Sequence, residues 1–470
     1  MSPLQLSVFW RLSLAFFFKP FLFFLDIFTV AVVEEICSRG NATSNVGTLT
    51  RNQSEVEDLA SKESDWMTQN VDRDSVCSWT PWLYYGQSVY MVGLLLGSLV
   101  GGALSDRYGK CPVLLVCVHI QALCGLVPTV LPQPVLFLIV RCVTGICCSC
   151  ISNCSFSLAV EWTTPSFRRW PTVFLGFCFS LGTMGSALLA CLSPSWIQLH
   201  LTLALPQFIC LPLYRSIPES PSWLALMGKS DVLHRYCNGS MADKQCVDIL
   251  LGSKKLENQK CTGDQKYLPP SDLYPFRHPT VLLRLSIMSY LGAATALTYF
   301  GICMNIGSFG VNVYSAQFFS GLSEAPCLLI PLVRMNRRPI SMLTLFLSGT
   351  ACFLSLLLSR YQCDSMLVMS LALVGKFCIL VNIFILALYN IELFPTVVRQ
   401  RCISLVNLCF RLGCLVSTLF PPDAEGSISL AAMLIYSSGP IIGCGFCLLL
   451  PETSGKPLPD TVEDCDRLKG

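Results

Sequence analysis

Twelve apolar runs, each cut off by charged residues or by Pro and Gly, dominate this chain and limit what it can fold into. They lie near residues 8–33, 83–104, 112–131, 135–160, 171–192, 196–215, 284–306, 311–333, 340–359, 365–394, 402–420 and 428–450. A helix that crosses the hydrocarbon of a bilayer needs about 20 apolar residues, and in lipid every backbone polar group must be satisfied within the spanning element. Runs of this length therefore read as membrane-spanning helices. Only 13% of the 470 residues are charged, against about 25% in a soluble domain, which excludes a soluble globular enzyme. Disorder is excluded too, because apolar side chains are abundant and no sustained charge run occurs. A net charge of +3 gives no indication of a nucleic-acid partner. The first run is not a cleaved leader: it is too long, lacks a small-residue cleavage pattern, and carries Lys19 and Asp26.

The runs divide six and six around a mixed-charge stretch at 216–283. The expected fold is an all-α membrane protein of twelve transmembrane helices in two six-helix halves, 1–217 and 280–470, joined by a central loop at 218–279. Orientation follows from Lys and Arg in the short loops, which favour the cytosolic side. Arg107, Lys110, Arg168, Arg169, Arg334, Arg337, Arg338, Arg399 and Arg401 fall on one side, and only Arg360 on the other. Nine against one places the first set, both termini and the central loop in the cytosol. The loop at 34–82, with nine acids and four bases, then faces outward, and its sequons make Asn41 and Asn52 the expected glycosylation sites. The sequons at Asn153 and Asn238 fall in a span and in the cytosol and are expected to be silent.

Most of the 27 cysteines lie inside apolar runs, where a free thiol behaves as a small hydrophobe. Cys147, Cys148, Cys150 and Cys154 cluster in the fourth span, but no His or carboxylate stands at ligand spacing, so helix packing is the expectation and no metal is assigned. Cys37 and Cys77 bracket the one polar loop that can face an oxidising compartment, and a disulfide is expected between them. No phosphate loop, zinc motif or nucleophile elbow occurs in a polar segment; the chain is not expected to be an enzyme or to hold a cofactor.

After the second span comes Gly102-Ala103-Leu104-Ser105-Asp106-Arg107-Tyr108-Gly109-Lys110. Physically this is a tight link: Gly109 permits the turn, Asp106 can face a helix N-terminus, and the bases sit at the inner interface. The segment resembles the signature loop of the major facilitator superfamily, whose layout is six plus six spans with a long central loop. Other segments narrow the resemblance: Arg141 with Gly145, Glu161-Trp162, Pro218-Glu219-Ser220-Pro221-Ser222-Trp223-Leu224, Tyr299-Phe300-Gly301, Phe309-Gly310-Val311, Glu392-Leu393-Phe394-Pro395 through Arg399-Gln400, and Pro451-Glu452-Thr453. Together they resemble solute carrier family 22, the organic cation, anion and zwitterion transporters. The resemblance implies alternating access, with Gly102, Asp106, Arg107, Gly109, Lys110, Glu161, Glu219, Glu392 and Arg399 in conformational gating. The sequence departs from the family pattern at Ser222, Cys402 and Ser404.

Charges inside spans cost about 2.5–3.5 kcal/mol on insertion scales, so each is a functional candidate. Arg411 lies near the middle of the eleventh span, where the resemblance places Arg in anion-transporting relatives and Asp in cation-transporting ones. It reads either as the cation that attracts a substrate carboxylate or sulfonate, or as a structural partner of Glu324. Lys376 in the tenth span is a candidate second cation. Glu324 in the eighth could pair a base, gate the cavity or carry a proton. Lys19 and Asp26, seven residues apart, share a helical face and are expected to pair. Tyr299 and Phe300 supply aromatic surface for an apolar body.

The expected function is secondary or facilitated transport of small organic ions, organic anions first, across a lipid bilayer in the plasma membrane. A counter-transported anion is an open possibility. Two alternatives stand beside it: a cation or zwitterion carrier using Glu324 and Asp26, and a receptor-like protein that keeps the fold without transport.

Overall fold

The computed structural model describes residues 3–46, 77, 80–131, 133–163, 170–227, 232, 278–304, 311–327, 336–361, 364–395, 399–419 and 430–453. Asn52, Arg168, Arg169, Asn238, Phe309, Gly310, Arg334 and most of the central loop lie outside the described residues, as do the side chains of Asn41 and Ser222.

Every regular element among the described residues is a helix. The N-terminal part comprises α1 (Pro3–Phe23), α2 (Leu25–Val46), α3 (Thr80–Tyr108), α4 (Lys110–Val130), α5 (Pro134–Glu161), α6 (Trp170–Cys191), α7 (Trp196–Tyr214) and the short α8 (Pro221–Leu226). The C-terminal part comprises α9 (Pro279–Met304), α10 (Val313–Glu324), α11 (Arg337–Arg360), α12 (Ser365–Leu393), α13 (Arg399–Ser417) and α14 (Leu430–Cys447). Nine stretches among the described residues are long and apolar enough to cross a membrane, with α1 and α2 acting together as one span over Pro3–Cys37. The shorter or more polar α10, α13 and α14 bring the pattern to twelve. The eighth run departs from a single long helix: α10 ends at Glu324 and a 3₁₀ turn follows over 325–327. Pro326 explains the change, since its missing N–H removes a helical bond.

The first span is bent, not straight. Pro20 sits inside α1 and a bend at Phe24 separates it from α2. In the N-terminal part α3 packs along α5, α1 along α6, and α4 along α7. The α3–α5 contact is set by glycine: a Cβ on Gly93 would stand 2.2 Å from the Cys142 carbonyl oxygen, and one on Gly145 2.3 Å from that of Tyr90. Backbones approach this closely because lipid supplies no hydrophobic drive between helices, so association depends on direct packing. In the C-terminal part α11 packs on α12 and α14, and α9 on α13. The two parts meet where α10 lies on α6 and α13 on α3. Ser180 donates to the Gly321 carbonyl (3.1 Å) and Ser88 to that of Thr418 (3.1 Å) across this junction. A continuous aromatic core bridges it through Phe23, Phe28, Tyr299 and Phe300. Cys37 and Cys77 are joined by a disulfide that ties α2 to the segment before α3.

Candidate functional site

The spans carry several ionised side chains at mid-depth, and the structure sorts them into two classes. Two acids are neutralised within their own part of the chain. Asp26, at the start of α2, receives Nε and Nη2 of Arg141 from α5 at 3.1 and 2.6 Å, and Arg141 also donates to the Leu22 carbonyl at 2.9 Å. The guanidinium lies 4.5 Å from the Tyr90 ring centroid. Both partners are buried. Glu324, at the end of α10, is 2.6 Å from Nζ of Lys376 on α12 and accepts from the Tyr299 hydroxyl at 2.7 Å. Lys376 also donates to Ser320 and lies 5.3 Å from the Tyr299 ring centroid. A lysine with no exposed surface is tolerable only in such company.

Two bases form the second class. Arg411, half-buried on α13, makes no hydrogen bond or ion pair among the described residues. Lys19, half-buried on α1, is in the same condition, and its Nζ instead stands 5.5 and 5.4 Å from the ring centroids of Phe16 and Phe179. The expected Lys19–Asp26 pair is not formed. The bend at Phe24 interrupts the helical register that would stack them, and Nε and Nη2 of Arg141 already converge on Asp26 Oδ2. Arg411 is likewise not the partner of Glu324, because Lys376 holds that position.

Between these bases runs a row of rings. Phe179 is 6.4 Å from Phe23, Phe23 is 5.8 Å from Phe300, and Phe300 is 6.5 Å from Phe410, the residue before Arg411. Tyr299 stands edge-on to Phe300 at 5.1 Å. Of the residues expected to contact substrate, the structure brings Tyr299, Glu324 and Lys376 into one closed cluster, with Phe300 packed between Tyr299 and Phe410; Arg411 is not part of that cluster.

A second constellation occupies the helix ends that the charge count assigns to the cytosol. Gly109 takes φ 96°, a left-handed conformation that disfavours any residue with a Cβ. The turn aims the first N–H groups of α4 at Glu219, whose carboxylate accepts from Lys110 N (3.1 Å), Cys111 N (3.0 Å) and Ser220 N (2.8 Å). Lys110 Nζ pairs with Glu161 and donates to Ser157 (2.7 Å), and Ser220 donates to Glu161. Glu219, and not Asp106, therefore faces the helix N-terminus. Asp106 is exposed and contributes its carbonyl to Trp223 Nε1 at 3.1 Å. Arg107 reaches only the ring of Tyr108, at 5.5 Å. Gly102 borders open space, so packing does not require a glycine there.

The C-terminal part repeats this arrangement. Glu452 accepts from Arg337 N (2.9 Å), Arg338 N (3.0 Å) and Thr453 N (3.1 Å), as Glu219 does for α4 and Ser220. Arg337 pairs with Glu392 at 3.1 Å and Thr453 Oγ1 donates to Glu392 at 2.7 Å, as Lys110 and Ser220 do with Glu161. Arg399 donates to the Phe394 carbonyl at 3.1 Å. Sequence reasoning quoted Glu452 but gave it no role. The signal was present: Pro218-Glu219-Ser220 after the sixth span recurs as Pro451-Glu452-Thr453 after the twelfth.

Gly109→Val is expected to slow transport at least about tenfold while leaving protein at the cell surface, because a Cβ there both strains φ and stands 2.7 Å from the Glu219 carboxylate. Initial uptake rates normalised to surface biotinylation measure this. A wild-type rate would show that the cap has no part in turnover.

Residues 83–418 match the family profile described as Major Facilitator Superfamily. Organic anion transporter 3 of Oryctolagus cuniculus is 33% identical over 403 residues, covering 84% of this chain and 73% of that protein. Solute carrier family 22 member 6 of Rattus norvegicus is 31% identical over 401 residues, covering 83% and 71%. Among solved structures, the inward-open xylose transporter XylE of E. coli aligns with a TM-score of 0.65 over 98% of this chain and 99% of that one, at 17% identity, a likeness of fold. These matches, with the paired helix caps and twelve-span layout, place the chain outside the enzymes: it is a multi-pass membrane transporter of the major facilitator superfamily and belongs to solute carrier family 22.

Proposed function

We propose that this protein carries small organic anions across the plasma membrane by alternating access. One observation carries the reading: at mid-membrane both acids are neutralised, Asp26 by Arg141 and Glu324 by Lys376, while Arg411 and Lys19 have no acid partner among the described residues. The site thus holds uncompensated positive charge in a low-dielectric setting, where a single charge acts strongly on a ligand of opposite sign. An organic cation would meet repulsion from Arg411, and the mid-membrane carboxylates of Asp26 and Glu324 are already paired with bases. The relatives named as organic anion transporters support the same polarity. Arg411 receives the anionic group, and the Phe300–Phe410 edge contacts the apolar body. The Glu324–Lys376–Tyr299 cluster forms the wall of the site.

Alternating access is supported by the xylose-transporter fold and by the repeated caps, one in each part of the chain. Each cap is built within its own half, so the halves can rock as units about the α3–α13 and α6–α10 contacts.

The test is an uptake screen in cells expressing the full chain, pairing labelled benzenesulfonate with labelled tetraethylammonium. Both ions keep their charge at any working pH and cross a bilayer poorly unaided. Saturable benzenesulfonate uptake without tetraethylammonium uptake is the expected result, and the reverse preference overturns the proposal. The outward loop is expected to carry N-glycans at Asn41 and Asn52. Deglycosylation should then increase electrophoretic mobility in wild type and leave the double Gln variant unchanged; an unshifted wild type would count against that topology.

A further inference from the structure

Lys19, expected from its spacing to pair with Asp26, is with Arg411 a mid-membrane base that has no acid partner among the described residues. Its position is specific. It projects from α1 among Phe18, Gln121, Cys148, Gln207 and Tyr214, with the rings of Phe16 and Phe179 about its ammonium. Arg411 lies on α13 in the opposite part of the chain, and its neighbour Phe410 packs on Phe300 at the junction of the two parts. The row Phe179–Phe23–Phe300–Phe410 begins at the ring beside Lys19 and ends at the residue before Arg411. Phe23 and Phe300 are packed in the core, whereas Phe179 and Phe410 at the two ends of the row are half-buried and offer ring surface to a flat aromatic body. Bare ammonium and guanidinium groups in a site partly shielded from water are costly unless a counter-charge arrives.

We infer that Lys19 is a second anion-binding centre, and that with Arg411 it selects aromatic dianions, one acidic group held by each base. The assignment rests on the organic-anion reading above. A dianion then bridges the N-terminal and C-terminal parts, cancelling a repulsion that opposes their approach when the site is empty. A monoanion can satisfy only one base. Lys19 is a specificity-determining residue, whereas Arg411 serves every anion. Lysine suits this place because its ammonium on a flexible stem can meet acidic groups at several separations.

The experiment compares uptake of para-benzenedisulfonate and benzenesulfonate in cells expressing the full-length chain, wild type and variants, with surface protein measured in parallel. Wild type should take up the disulfonate with the lower KM. Lys19→Met should raise the disulfonate KM about tenfold, the loss of roughly one charge-assisted hydrogen bond, and move the benzenesulfonate KM by less than about twofold. Lys19→Arg should keep the preference, and Arg411→Met should lose both anions. A Lys19→Met variant that shifts both anions equally, or neither, overturns the inference. So does a wild type that takes up benzenesulfonate with no preference for the disulfonate, a result independent of how any variant folds. Each of those results leaves the anion reading standing. Uptake of tetraethylammonium with neither sulfonate instead removes the anion reading itself, and this inference with it.

Discussion

Arg411→Asp is expected to abolish organic-anion uptake while the protein still reaches the cell surface. The two halves of this expectation come from different observations. Loss of uptake follows from charge: the substitution removes attraction and installs repulsion in a site whose other mid-membrane acids are already committed to Arg141 and Lys376. Survival of the fold follows from the lack of an acid partner for Arg411 among the described residues, so its removal strands no buried counter-charge. Arg411→Lys should be intermediate, about tenfold weaker, since it keeps the charge and loses the planar fork that binds a carboxylate or sulfonate at two points. Surface biotinylation beside benzenesulfonate and tetraethylammonium uptake provides the measurement. Normal surface level with unchanged anion uptake would refute the assignment. Collapse of surface protein, rescued when Glu324→Arg accompanies Arg411→Glu, would instead revive a structural pair that the geometry does not contain.

The fold was legible in the sequence because membrane insertion makes hydrophobicity nearly sufficient: twelve apolar runs give twelve spans, the first of them bent into two helices. Gly109 was legible because only one residue type tolerates its φ. The charged site was legible by residue and not by partnership. Lys19 and Asp26 have the spacing of a pair, but spacing counts only along an unbroken helix, and the bend at Phe24 lies between them. Arg141 reaches Asp26 from a helix more than 100 positions away, a contact that local periodicity cannot report. Lys376 reads from the sequence only as a candidate second cation for the same reason: Glu324 and Ser320 approach it from α10. Glu452 was missed for a different reason. The signal lay in a repeat between chain positions 218–220 and 451–453, each unremarkable by itself.

Lys376 and Glu324 give the other large effect, and here stability and transport should separate. Lys376 has no exposed surface and Glu324 about 5%, so truncating either leaves its partner charged in a dry environment. Lys376→Met or Glu324→Gln alone is expected to cost about 3–5 kcal/mol, enough to remove much of the protein from the surface. The double variant Lys376→Met with Glu324→Gln should recover most of that loss. No charge is stranded, and the Gln carbonyl can still accept from the Tyr299 hydroxyl, whose bond to Glu324 is 2.7 Å. Thermal unfolding of the purified protein measures the recovery. The transport readout then decides the role of Lys376. If the pair is a wall of the site, neutralising both members leaves the net charge facing the ligand unchanged, and the double variant keeps the wild-type KM for benzenesulfonate. If Lys376 itself binds the anion, the double variant loses affinity despite its recovered stability. The closed geometry, with Nζ shared between Glu324 and Ser320, favours the first outcome.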